Sequence, residues 1–184
     1  MDIVAQTAGV SKATVYAQFG SKAQLFAAMV EREGEQQNLA LNSLPDGATA
    51  DVLQSFARLA AEFLLSPAVV AMQRVVTSEA TRNPGIGALF FSNGPEQLID
   101  TLAAYLDRAM RRGERRTAPP RLAAAQFLAI IVADLQLRAL IGVSGQLASR
   151  QRNRVAASGV DVFLRGYAPD RGVSRQRTAV TELG

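Results

Sequence analysis

The sequence predicts an all-α fold in two parts, a short N-terminal helical unit and a longer C-terminal helical bundle. Three observations carry this. Apolar residues recur three and four positions apart over most of the chain. No segment shows the β-branched alternation, bounded by turns, that marks a strand. Prolines and glycines gather between the periodic segments, as at Pro67, Pro84, Gly94 and Pro95.

Taken in order, short helices are expected at about 2–8 and 11–18, then a longer one from Lys22 to about Leu41 that stops before the turn "NSLPDG". Two more follow at about 49–65 and 67–81, with Pro67 suited to a first turn, where its missing N–H costs nothing. The stretch 82–97, "RNPGIGALFFSNGPEQ", reads as an irregular or short helical link. Helices then run over about 95–112, 119–143 and 146–167. Residues 1–41 form the first unit and 48–167 the second. Residues 168–184 lack apolar periodicity and read as a disordered tail.

The composition narrows the function. A chain of 184 residues, 48% of them hydrophobic, can bury a core. Its longest apolar stretch, 127–143, is interrupted by Asp134, Gln136 and Arg138, which favours a buried helix over a membrane span. There is no Cys and no His, so the chain has no disulfide framework, no thiolate metal site and none of the commonest general base. These features suit the cytoplasm. No paired carboxylates, nucleophile motif or phosphate loop stands out, and neither an enzyme, a metal site nor a cofactor is expected.

The net charge of +4 and pI near 10.1 invite a nucleic-acid partner. Their distribution gives little support, because Lys12, Lys22 and Arg32 are balanced by Asp2, Glu31 and Glu33 within the first 34 residues. The excess is arginine further on, in "RRGERR" (111–116), "RQRNR" (150–154) and the tail, where solvated helix ends explain it.

The stretch "AGVSKATVYAQFGSK" (8–22) says more. Gly9 can end one helix in the left-handed conformation and Ser11 can cap the next. On a helix starting at Lys12, Val15 and Phe19 share the buried side. The opposite side is Ala13, Thr14 and Ala17, flanked by Lys12, Tyr16 and Gln18. Such a small face framed by donors fits the major groove of double-stranded DNA. Ala and Thr methyls can meet thymine methyls, Gln18 can pair with a base edge, and Lys12 and Tyr16 can reach phosphates. Ser21 and Gln24 then form a capping box, where free N–H groups and Lys22 offer a phosphate clamp. A packed helical hairpin with incidental alanines remains the plainer alternative.

Residues 3–32, "IVAQTAGVSKATVYAQFGSKAQLFAAMVER", closely resemble the helix-turn-helix of the tetracycline-repressor (TetR) family of bacterial regulators. The shared core is Val-Ser-x-x-Thr-x-Tyr-x-x-Phe (10–19) followed by Ser-Lys-x-x-Leu (21–25). "NPGIGALFFSNGPEQLIDTLAAYL" and "VFLRGY" more loosely resemble a C-terminal type of that family. The resemblance implies that Lys12, Thr14, Tyr16, Gln18 and Lys22 touch DNA. It also implies a homodimer and a ligand pocket in the remaining helices. In the family a further helix precedes the segment that begins here at Met1, packing over the apolar sides of the next ones. The expectation is therefore a truncated start or an internal methionine, with Ile3, Val15, Phe19 and Phe26 uncovered.

Within the bundle, the helix at 119–143 is apolar nearly all round. Paired with 146–167 it can form a four-helix interface across a two-fold axis, with Leu135, Arg138, Val155, Ala156, Gly159 and Phe163 as candidates. The other possibility for these residues is a monomer's own core. A two-fold dimer would set two recognition helices about 34–36 Å apart on a palindromic operator. Pocket candidates are Phe63, Met72, Phe90, Phe91, Tyr105 and Phe127, with Phe56 and Leu98 beside them. Arg74 and Asp134 are candidates because a charge inside an apolar run must be paired or used; Arg138 lies four residues after Asp134, a spacing that also allows the two simply to pair.

A mostly apolar lining suits a small hydrophobic effector. The expectation is thus a ligand-responsive repressor. The alternative is a helical dimerisation or ligand-binding protein that does not itself read DNA.

Overall fold

The computed structural model describes Ser11, Ala13, Thr14 and Ala17, residues 48–143 and residues 148–169. The expected helices at 2–8 and 22–41 and the tail fall outside these residues. Of the helix at 11–18, Ala13, Thr14 and Ala17 are helical.

The described body contains six helices: α1 Thr49–Leu64, α2 Pro67–Ala80, α3 Pro84–Asn93, α4 Pro95–Arg111, α5 Pro120–Ile141 and α6 Ser149–Gly166. Among the described residues there is no strand. Local chemistry sets several boundaries. Ser66 accepts the Val69 N–H at 3.3 Å and Pro67 opens the first turn, so α2 restarts at once after α1, bent from it by 58°. The stretch at 82–97 is a ten-residue helix, α3, separated from α4 only by Gly94. Pro84 and Pro95, which break periodicity in the sequence, each open a helix here.

α4 and α5 end in the same way. Gly113 (φ 72°) and Gly142 (φ 76°) take the left-handed conformation that other residues adopt at a cost. After α4, Gly113 N–H donates to the Met110 carbonyl and Glu114 N–H to that of Ala109. After α5, Gly142 donates to Ala139 and Val143 to Arg138, the paired bonds of a Schellman cap.

α1, α4, α5 and α6 enclose the main core. Its centre is a run of aromatic rings: Phe127 stands edge-on to Phe56 at 6.0 Å and to Phe163 at 4.9 Å, and Tyr167 stacks on Phe163 at 4.4 Å. All four are buried, the phenylalanines almost completely, and each contributes about 1.5–3 kcal/mol by burial. Buried alanines at 57, 60, 61, 123, 124 and 156 bring the helix axes together around them. A smaller cluster of Met72, Val76 and Ile86, with Ala80 and Phe90 against it, joins α2 to α3.

By length and composition α5 could cross a bilayer, with a mean hydropathy of 1.6 over its most apolar window despite Asp134 and Arg138. Its Ala123, Ala124, Phe127, Ile131, Val132 and Leu135 are instead spent on the main core.

Candidate nucleic-acid interface and effector cavity

The short helix beginning after Ser11 is capped from its own sequence. Thr14 N–H donates to Ser11 Oγ at 3.0 Å, and the two hydroxyls lie 2.8 Å apart. Ser11 therefore satisfies one of the orphan amides of the first turn. Ala13, Thr14 and Ala17 lie along one side of this helix and are exposed. Lys12, Tyr16, Gln18 and Lys22, the other expected DNA contacts, lie outside the described residues, as do Val15 and Phe19.

In the body, an apolar cavity opens where the end of α1, the start of α2, the end of α3 and the start of α4 meet. Phe63, Leu64, Val69, Met72, Phe90, Pro95 and Leu98 line it, with Gly94 and one polar side chain, Gln73. Its volume is about 30 Å³, room for about two water molecules. Gln73 Oε1 accepts from Gln136 Nε2 at 3.4 Å, tying this wall to α5. The cavity sits on the seam between the two apolar clusters, since Leu64 and Leu98 pack with the main core and Met72 and Phe90 with the smaller one.

Of the sequence-predicted pocket residues, the structure brings Phe63, Met72 and Phe90 together here, with Leu98. The others go elsewhere. Phe127 and Phe56 are the aromatic centre of the main core. Phe91 points outward and is 49% exposed, because a helix turns about 100° between neighbours and Phe90 takes the inner side. Tyr105 packs its ring against the main core, with its hydroxyl buried and Arg108 6.0 Å from the ring centre. Asp134 is exposed and pairs with Arg138 at 2.5 Å, four residues on, as the spacing allows. Arg74 is exposed and binds the carbonyls that end α5. Sequence reasoning missed Leu64, Val69, Gln73, Gly94 and Pro95. The Gly94-Pro95 break was the one available signal, because it marks where two helix ends part.

Most of the candidate interface residues are engaged within the chain. Leu135, Ala156, Gly159 and Phe163 are buried within one chain, and Val155 is half-buried against the same core. Gly159 does permit a close approach, but to Ile130 of the same chain: a Cβ there would lie 3.0 Å from the Ile130 carbonyl oxygen. Arg138 is exposed and engaged by Asp134. On α5 and α6, Leu122, Leu137, Ile141 and Val162 face outward, each more than half exposed.

The arginine-rich run after α4 is largely occupied. Arg111 pairs with Asp107 and Arg112 with Glu114, Arg115 reaches the Glu114 carbonyl, and Arg116 binds the Gly166 carbonyl while covering the Tyr167 ring at 4.3 Å. The Arg112 guanidinium and then the Thr49 hydroxyl hold the Glu114 carboxyl at a pKa of about 2, below its ordinary 4.5.

A capped helix with a small exposed face, ahead of a helical bundle in the chain, fits the plan of a helix-turn-helix transcription regulator. Comparison with known proteins agrees. Residues 1–29 match the family model for bacterial regulatory proteins of the tetR family, and residues 51–169 match that for the C-terminal domain of AefR-like transcriptional repressors. The chain belongs to the TetR family of bacterial transcriptional regulators.

Among solved structures, a TetR-family regulator from Mesorhizobium loti is similar at 26% identity and a TM-score of 0.78, over 90% of this chain and 84% of that one. The flavonoid-responsive regulator FrrA is similar at 33% identity and a TM-score of 0.71, over 92% and 87%. A regulator from Pseudomonas syringae shares the fold at 24% identity and a TM-score of 0.69, over 91% and 84%. No curated protein matches the chain.

Proposed function

We propose that this regulator is a repressor that binds a palindromic operator as a homodimer and is released by a hydrophobic small molecule. The exposed face of Ala13, Thr14 and Ala17 on a helix capped by Ser11 carries the reading. It can enter a major groove without long side chains to displace, and Lys12, Tyr16, Gln18 and Lys22 surround it in the sequence.

The cavity supports the effector. Its lining is apolar except for Gln73, so a neutral, largely hydrophobic molecule with one hydrogen-bonding group fits its chemistry. Ligand sites are typically about 300–1,000 Å³. A cavity of about 30 Å³ must therefore widen to admit an effector. That widening is the conformational difference through which the effector acts: it shifts operator affinity by its differential binding to the two states and no more. Since a 33% identical relative is named for its response to flavonoids, a flat neutral aromatic is the first class to try. Leu122, Leu137, Ile141 and Val162 provide the apolar face for a second copy.

The test is a mobility-shift titration on palindromes from the protein's own upstream region, at several salt concentrations and with a flavonoid panel. The expected result is affinity that falls linearly with salt on logarithmic axes and falls again with the effector. Binding without salt dependence or without preference for the palindrome would overturn the operator reading, and affinity untouched by any neutral aromatic would overturn the effector reading.

A further inference from the structure

α5 is two helical segments joined at one residue. At Ala133 the backbone leaves the helical region, with φ 42° and ψ −131°. That combination suits glycine at the first corner of a type II′ turn and is strained for a residue with a Cβ. Before the joint, Phe127, Ile131 and Val132 seat the helix in the main core. Beyond it, Leu135 is the segment's only buried side chain.

α2 grips this second segment through hydrogen bonds. Arg74 donates through Nε to the Leu140 carbonyl at 2.8 Å and through Nη2 to the Ala139 carbonyl at 2.5 Å. A guanidinium is well placed there, at the negative end of a helix dipole. Gln73, the preceding residue, takes the Gln136 amide. α2 is also a cavity wall through Val69, Met72 and Gln73. With α3 it is a wall able to yield, because Met72, Val76 and Phe90 pack in the smaller cluster whereas Leu64 and Leu98 belong to the main core. On its outward side the second segment carries Leu137 and Ile141, 61% and 63% exposed.

We propose that the part of α5 beyond Ala133 is a lever, hinged at that residue and carried by α2, so that an occupant widening the cavity shifts Leu137 and Ile141 and alters how tightly two copies associate. The input rests on the effector and dimer readings above; the hinge and the hydrogen bonds of Arg74 and Gln73 to α5 stand without them. Fixed on its neighbours by two adjacent residues, α2 cannot move away from the cavity without pulling on 136–140. Ala133 is where that pull meets the least resistance.

Hydrogen exchange along the full-length chain, with melting curves and sedimentation, tests each part. Arg74→Gln is expected to raise exchange at amides 137–143 about tenfold and to leave 123–132 unchanged. An equal change in both segments, or none, overturns carriage by α2. Ala133→Gly is expected to raise the melting midpoint by about 2–4 °C, because glycine relieves the strained backbone. In an unbroken helix the same change lowers the midpoint, and that outcome overturns the hinge.

Phe63→Trp, or Leu98→Phe where the first does not fold, crowds the cavity. It is expected to raise exchange at 137–143 and to shift the dimer dissociation constant, and to do neither when added to Arg74→Gln. Wild-type values for both readouts overturn the coupling, and a chain monomeric at every concentration overturns its output. Should all these variants behave as stated while no small molecule releases DNA, the effector reading alone has failed.

Discussion

The Ser11 hydroxyl accepts the Thr14 amide at 3.0 Å while lying 2.8 Å from the Thr14 hydroxyl, so one side chain both starts the helix and fixes a residue of its exposed face. Ser11→Ala removes the cap at a cost of about 1 kcal/mol. Since DNA must then reorder the first turn on binding, operator affinity is expected to fall about fivefold. A mobility-shift titration checks this, and unchanged affinity would mean that the cap does not present the face.

Thr49, the first residue of α1, donates to the Glu114 carboxylate, which Arg112 also holds. With the Glu114 pKa lowered from 4.5 to about 2, the folded state favours the charged form. The resulting stabilisation is complete above about pH 4.5 and disappears as pH falls toward 2. Glu114→Gln is therefore expected to melt below wild type at neutral pH and to converge with it in acid. Parallel melting curves from pH 7 to pH 2 would show that the carboxylate is not held in this way.

Gly159 and Gly166 lie on the same helix and are expected to respond oppositely to alanine. At Gly159 a Cβ would meet Ile130 Cγ2 and the Ile130 carbonyl oxygen, both at 3.0 Å, and backbone cannot easily retreat. At Gly166 a Cβ meets nothing within 4 Å. Gly159→Ala should lower the denaturation midpoint even though alanine gains about 1 kcal/mol of helix propensity, and Gly166→Ala should leave it equal or higher. If Gly159→Ala changed only dimer association, the contact between α5 and α6 would not be the reason for this glycine.

Some of this was legible in the sequence because it is local. The Ser11 cap depends on residues three apart, and Pro67 announced the start of α2 by backbone geometry alone. The Asp134–Arg138 pair follows from helical spacing. Side-chain destinations were less legible, because an aromatic at helical spacing has the same pattern whether it faces a core, a cavity or a second chain. Phe127 and Phe63 differ only in what the other helices bring to them. The same ambiguity hid Phe163, Ala156 and Leu135 as core. Ala133 was invisible for a different reason: alanine is the best helix former, so nothing in its identity marks a break.

Phe90, Phe91 and Phe127, three aromatic residues that the sequence treats alike, provide the sharpest separation of cavity from core. Phe127 is fully buried between two other rings, so Phe127→Ala is expected to cost about 3–5 kcal/mol in denaturant unfolding. Phe91 is half exposed, and Phe91→Ala should change stability by about 0.5 kcal/mol or less and leave effector response intact. Phe90 lines the cavity and is only partly buried, so Phe90→Ala should cost less than Phe127→Ala while changing which neutral aromatics release the operator. Denaturation and effector titration on the same three variants separate these outcomes. A Phe91 variant that altered effector choice, beside a Phe90 variant that did not, would move the effector site away from the seam between the two clusters.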